Sequence, residues 1–322
     1  MRVEDIQGVG EKIAQKLRSA GYHTLESLAF ADPREVIQRA KIGEETAFKI
    51  IRNARKKIRI GFLTGSELQS IEEKNNVQFT TGVNGLDRLL GGGIKIGRIT
   101  EFYGPPRSGK TQLVHQLCVT VQLPPEKGGL DGLAAVIDTE NTFSVKRLIA
   151  VSKRFGLNPN EAIDRVFIGQ TATSDMLLDF VYNHIPALVD EKPIKLIAID
   201  SLTSTFRAEY VGLESLRERQ QIINKMLHFL LRLALAEKIA VVVTNQVIAQ
   251  TTMYGPSMVA AGGFVVGHMS TYRVKLHRKG RSDDIVAYLE DAPDLPESDV
   301  SFKISDMGLI DGEKDKKTST KS

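Results

Sequence analysis

The sequence contains no tryptophan and one cysteine, Cys118, and aromatic residues make up only 6% of its 322 residues. A single thiol excludes an intrachain disulfide and fits a reducing compartment. No apolar run is long enough to span a bilayer. The chain opens on Met1-Arg2-Val3-Glu4-Asp5, charged at once, with no signal-peptide pattern. These absences point to a soluble intracellular protein. Cysteine and histidine never cluster at metal-ligand spacing, so the expected metal is Mg²⁺ held together with phosphates. Hydrophobic residues make up 42% of the chain, enough for a large core and, at this length, two domains. A net charge of +4 and a pI near 9.0 permit a nucleic-acid partner without demanding one.

The strongest signal is Gly104-Pro105-Pro106-Arg107-Ser108-Gly109-Lys110-Thr111, a match to G-x-x-x-x-G-K-[ST]. Residues 98–103 before it read as a buried strand, and Gln112 opens a run with apolar residues at helical spacing. Strand, glycine loop and helix start together make an anion site, because unpaired N–H groups and the helix dipole face the phosphates. Lys110 reaches the β- and γ-phosphates, and the Thr111 hydroxyl holds Mg²⁺. The pattern predicts an ATP or GTP site.

From residue 79 strands and helices alternate, as in an α/β domain with a mostly parallel sheet. Strands are expected at 134–138, 165–168, 194–200 and 239–244, with helices at 145–155, 174–189 and 216–237. Further strands are expected at 272–277, 285–289 and 300–304. Open sheets of this kind place their sites at strand C-termini. Asp200 ends one apolar strand and is the second Mg²⁺ candidate. Glu140, after another, is placed to activate a water, and Gln246, after a third, to sense the γ-phosphate. Asp138 reads as a structural or supporting carboxylate.

Residues 1–58 read as a small all-helical module with glycine hairpins at Gly8-Val9-Gly10 and Ile42-Gly43. Such hairpins either offer backbone N–H groups to DNA phosphates or build a bundle for protein contacts. Residues 59–78 form a linker, in which Phe62 either packs on its own domain or anchors in a neighbouring subunit. Two stretches, 207–215 and 247–263, look too long and glycine-rich for plain connections, and both carry function or form surface loops. The tail, 312–322, lacks the apolar residues that order a chain.

These motifs, in this order, resemble those of the archaeal RadA recombinases, in the RecA superfamily of DNA strand-exchange ATPases. The resemblance spans residues 3–311 and rests on Gly8-Val9-Gly10, Thr81-Gly82, Leu86-Asp87, Gly91-Gly92-Gly93-Ile94, Gly109-Lys110-Thr111-Gln112, Asp138-Thr139-Glu140, Ile199-Asp200-Ser201-Leu202-Thr203, Thr244-Asn245-Gln246-Val247 and Gly262-Gly263. It implies a RecA-like phosphate-loop ATPase core over 79–311 and a helix-hairpin-helix N-terminal domain, with ATP and Mg²⁺ as cofactors. By resemblance Glu140, Lys110 and Gln246 carry catalysis. Residues Gly104 to Gln112 and Arg147 hold the nucleotide, while Asp291 and Pro296 cap the ATP of the adjacent protomer. DNA contacts fall to Gly8, Gly10, Gly43, Arg207, Arg217, Arg219, Thr251, Tyr254, Gly262 and Gly263. Phe62 and Gly65 belong to the subunit-joining motif.

Some positions depart from the family pattern. Gly212-Leu213-Glu214 stands in place of Gly-Arg-Gly, and Phe264 replaces a polar residue. The implied function is an ATP-dependent recombinase that forms a ring or helical filament and acts on single- and double-stranded DNA in the cytoplasm, at the nucleoid. Other recombination mediators are implied as partners. An accessory paralogue that modulates another recombinase is the alternative.

Overall fold

The computed structural model describes all residues except 59, 60, 68, 70–76, 213, 253, 254, 281 and 313–322, and only the backbone of 250–252 and 255–257. Leu213 and Tyr254, much of the linker and nearly all of the tail therefore lie outside the described residues.

The N-terminal module contains α1 (Glu11–Ser19), α2 (Leu25–Ala29), α3 (Pro33–Ala40) and α4 (Glu44–Lys57). Local chemistry sets their starts. Thr24 caps α2 by accepting the Ser27 N–H, and Asp32 caps α3 ahead of Pro33 in its first turn. The apolar faces of these helices close a small core of its own, including Leu17, Leu28, Ile50 and Ile51.

The larger body is built on strands β1 (Gln78–Phe79), β2 (Ile94–Lys95), β3 (Ile99–Tyr103), β4 (Leu133–Asp138), β5 (Val166–Gln170), β6 (Ile194–Asp200), β7 (Ala240–Asn245), β8 (Val247–Thr252), β9 (Gly255–Ala260), β10 (Tyr272–Arg278), β11 (Asp284–Asp291), β12 (Ser298–Ser305) and β13 (Gly308–Asp311). A nine-stranded sheet has the order β13-β12-β11-β10-β3-β7-β6-β4-β5. From β10 to β5 neighbours run parallel, and β10 to β13 add an antiparallel flank.

The helices of this body are α5 (Asn84–Leu89), α6 (Lys110–Thr120), α7 (Val145–Arg154), α8 (Pro159–Asp164), α9 (Ser174–Asp179), α10 (Ile185–Glu191), α11 (Ser204–Glu209), α12 (Leu216–Glu237) and α13 (Gly263–Met269). Two apolar clusters cover the sheet. One joins α6 and α7 to a sheet face, and the other joins α9 and α12 to the opposite face. Burial on both faces explains why β4, β6 and β7 read as near-continuous apolar runs.

Several expectations are corrected. The stretch 247–263 is not an open loop: β8 and β9 pair as a hairpin, and Gly262 caps α13. Arg207 lies in helix α11 rather than in the loop expected there. The helix expected at 174–189 runs on to Glu191 but passes through a π-turn at Phe180–His184 between α9 and α10. Pro186 is the physical cause, since it has no N–H to give the Tyr182 carbonyl four residues back. That carbonyl is taken instead by the Arg39 guanidinium of the N-terminal module. Among the described residues, no helix is long and apolar enough to cross a membrane.

Candidate nucleotide site and nucleic-acid interface

The phosphate loop turns sharply between β3 and α6. Gly104 lies so close to β10 that an added Cβ would sit 2.0 Å from the Leu276 carbonyl oxygen, and Gly109 has φ +93°. Any side chain at Gly104 would push the loop off the sheet. Lys110 Nζ donates to the carbonyls of Gly104 at 2.8 Å and Pro105 at 3.0 Å, which holds the ammonium over the loop. Burial lowers the Lys110 pKa, and the carboxylates of Asp200 and Glu140 oppose that shift.

Asp200, at the end of β6, is buried and accepts a hydrogen bond from the Thr244 hydroxyl, with the Thr111 hydroxyl near its carboxylate. Burial raises its pKa, the two hydroxyls oppose the rise, and nearby Glu140 and Asp138 add to it. A buried carboxylate beside other carboxylates is stabilised by a cation, so Thr111 and Asp200 fit Mg²⁺ shared with phosphates.

Asp138 serves structure. It accepts the backbone N–H groups of Glu140, Thr142 and Phe143 and so fixes the turn that presents Glu140. Glu140 Oε1 accepts from Ser201 Oγ and from Gln246 Nε2, each at 2.8 Å. Arg207 in turn donates to Gln246 Oε1 at 3.4 Å. Three strand ends far apart in sequence are thereby joined.

A cavity of about 570 Å³ opens over the loop, lined by residues 107–112, Arg147, Arg278, Asp283, Ile304, Ser305 and Asp306. Arg147 donates to the carbonyls of Asp306 at 2.6 Å and Ser305 at 2.5 Å, which stands it at the cavity wall. Among the described residues its Nε and the buried Gln112 Oε1 have no partner, leaving polar groups for a ligand. Volume, cations and helix start all fit a nucleoside triphosphate.

Asp291 and Pro296, at the end of β11 and beyond it, do not line this cavity. Sequence reasoning missed Ser201, Thr244 and the wall residues Arg278, Asp283, Ser305 and Asp306. Ser201 and Thr244 adjoin residues that were singled out, whereas the wall residues belong to late strands whose position only the sheet order reveals.

The other candidates lie elsewhere. Gly10 and Gly43 are the exposed residues just before α1 and α4, where each helix start opens to solvent. Gly8 has φ +96° in the first hairpin. The two hairpins are tied together by Lys16 Nζ on the Lys41 carbonyl and by Asn53 Nδ2 on the Gln7 carbonyl. Arg217 is exposed, while Arg219 is half-buried and donates to the Tyr210 carbonyl. Thr251 lies in β8, with only its backbone described. Gly262 and Gly263 have positive φ at the start of α13, and Phe264 beside them is 86% exposed. Phe62 is fully exposed, and Gly65 stands in open space.

Comparison with known proteins agrees with this geometry. The Rad51 family model matches residues 72–312, and the SAM-like helix-hairpin-helix tandem matches residues 1–56. The chain is 43% identical over 312 residues to the DNA repair and recombination protein RadA of Metallosphaera sedula, covering 97% of this chain and 96% of that protein. It is 44% identical over 312 residues to the protein of the same name from Aeropyrum pernix, covering 97% of each.

Proposed function

The chain belongs to the Rad51 family, and from that premise we propose that it is an ATP-dependent DNA recombinase. It assembles on single-stranded DNA and catalyses homologous pairing and strand exchange in recombinational repair, in the cytoplasm at the nucleoid. The observation that carries this reading is the contact of Glu140 with Gln246, which ties a candidate hydrolytic carboxylate to the residue opening the β8–β9 hairpin.

The loop from Gly104 to Thr111, with Gln112 and Arg147, binds ATP. Lys110 stabilises the charge that develops on the transferred phosphoryl group. Thr111 and Asp200 hold Mg²⁺, which supplies charge neutralisation at the phosphates. Both hydrogen bonds to Glu140 fall on Oε1, so Oε2 is the oxygen that accepts the proton of the attacking water. Gln246 reports the state of this site to the hairpin. Asp291 and Pro296 serve the nucleotide of the adjacent protomer.

Residues 1–58 form the DNA-binding helix-hairpin-helix domain, 59–78 the linker that joins subunits through Phe62 and Gly65, 79–311 the ATPase core and 312–322 a tail. DNA contacts come from Gly8, Gly10 and Gly43, from Arg207, Arg217 and Arg219, and from the segment holding Thr251, Tyr254, Gly262 and Gly263.

Glu140→Gln tests the assignment. The variant retains ATP binding, and its turnover on single-stranded DNA drops by on the order of a hundredfold, because an amide cannot take up the water's proton. Turnover within about twofold of wild type would move the catalytic role to another carboxylate.

A further inference from the structure

Directly before Gln246 stands Asn245, fully buried at the end of β7, and every hydrogen-bonding position of its amide is used. Its Oδ1 accepts the Gln246 N–H at 3.0 Å and the Thr203 hydroxyl at 2.8 Å. Its Nδ2 donates to Glu101 Oε1 at 2.9 Å and to the Ala261 carbonyl, just past β9. Its backbone carbonyl accepts the N–H of Gly104, the first residue of the phosphate loop, at 3.2 Å. The base of the hairpin is closed by the Ala261 N–H on the Gln246 carbonyl at 2.8 Å.

Glu101, two residues before the end of β3, is a completely buried carboxylate. It is held by Arg273 Nε at 2.8 Å, and Arg273 Nη1 meets Glu290 Oε2 at 2.9 Å. Tyr103 closes the chain by donating to Glu290 Oε1 at 2.6 Å. A buried charge is tolerated only with such pairing, so this network has little freedom to rearrange.

We propose that Asn245, anchored by buried Glu101 and its half-buried partner Arg273, is the positioning residue that couples the phosphate loop to the β8–β9 hairpin, fixing the Gln246 backbone and the hairpin base in one register. This deepens the ATPase reading above and rests on it. Through its side-chain amide this residue touches Gln246, the far end of the hairpin and the turn after Asp200, and through its backbone carbonyl the first loop residue. Movement at any of these is therefore felt by the others. Neither Asn245 nor Glu101 touches the nucleotide cavity, so their loss breaks the coupling rather than the chemistry.

The test uses full-length Asn245→Asp, which keeps both acceptor contacts but removes the donors and sets a second carboxylate against Glu101. Glu101→Gln is the near-isosteric companion should the first fail to fold. Hydrogen exchange is measured on nucleotide-free protein, and ATP turnover with and without single-stranded DNA. Amides of 247–260 exchange about tenfold faster in the variants, while those of β4 and β6 keep wild-type rates. Turnover without DNA stays within about twofold, and the ratio of DNA-stimulated to unstimulated turnover drops about tenfold. Unchanged exchange at 247–260 overturns the proposal. So does an unchanged stimulation ratio, and so does a uniform loss of protection across the sheet with a parallel loss of unstimulated turnover, since that marks a purely structural role. A wild-type protein whose turnover ignores DNA would overturn the ATPase reading instead, with the exchange measurement still deciding the anchoring.

Discussion

His115 lies inside α6, one turn after the phosphate loop, with both ring nitrogens committed. Nδ1 donates to the Thr111 carbonyl at 2.6 Å, Nε2 accepts the Ser144 N–H at 2.8 Å, and the ring stacks on Phe143 at 4.3 Å. These partners fit the neutral ring. Burial lowers its pKa to about 4, with the Arg147 cation adding to the shift and the Thr111 carbonyl and Asp138 opposing it. An unfolded histidine titrates near 6.5, so between about pH 6.5 and 4 the unfolded chain binds the extra proton. Stability from this residue is fully present above that window and lost as pH falls through it, by on the order of 3 kcal/mol. Denaturant melts of wild type and His115→Gln should show a gap at pH 7 that shrinks towards pH 4.5. A gap independent of pH would mean that the ring is not held neutral. The sequence gives no hint of this residue's constraint, since its partners belong to loops whose approach depends on packing. Lys110 and Thr111, by contrast, were readable because a phosphate loop is a local device, complete within eight residues.

At the scale of elements, legibility followed burial. Helix α12 and strand β6 stand where periodicity and apolar run placed them. Their faces meet a large core, so the pattern is uninterrupted. The β8–β9 hairpin was missed because its sequence mixes glycine, proline and threonine without clear alternation. The break at Phe180–His184 was missed because its compensation is distant. Arg39 fills the freed Tyr182 carbonyl and lies over Tyr182 and Phe229, 5.3 and 4.9 Å from the ring centroids.

The linker shows the opposite case. Phe62, fully exposed, is an apolar side chain without cover among the described residues. In an assembly that buries Phe62, Phe62→Glu sets an unpaired charge in an apolar pocket, at about 2–5 kcal/mol. Light scattering should find monomers with wild-type circular dichroism. Intact rings or filaments in the variant would remove Phe62 from the assembly interface.

Across the whole molecule, the helical module and the sheet domain meet through specific polar contacts. Thr24 Oγ1 donates to Glu237 Oε1 at 2.6 Å, and Glu35 pairs with both Arg39 and Arg232. Local patterns cannot encode such pairings, which depend on how two separately folded bodies dock. The order of strands was equally illegible, although it is what brings Glu140, Asp200 and Gln246 together. The motifs named these residues, and only the topology makes them one site. The central claim is that this site drives DNA strand exchange by the protein itself. The most direct measurement incubates purified protein with a circular single strand, a homologous duplex and Mg²⁺, with and without ATP. Joint molecules and nicked circular product that form only with ATP and a homologous duplex are the predicted result. Binding of both DNAs with ATP turnover but without any joint molecules would contradict the account.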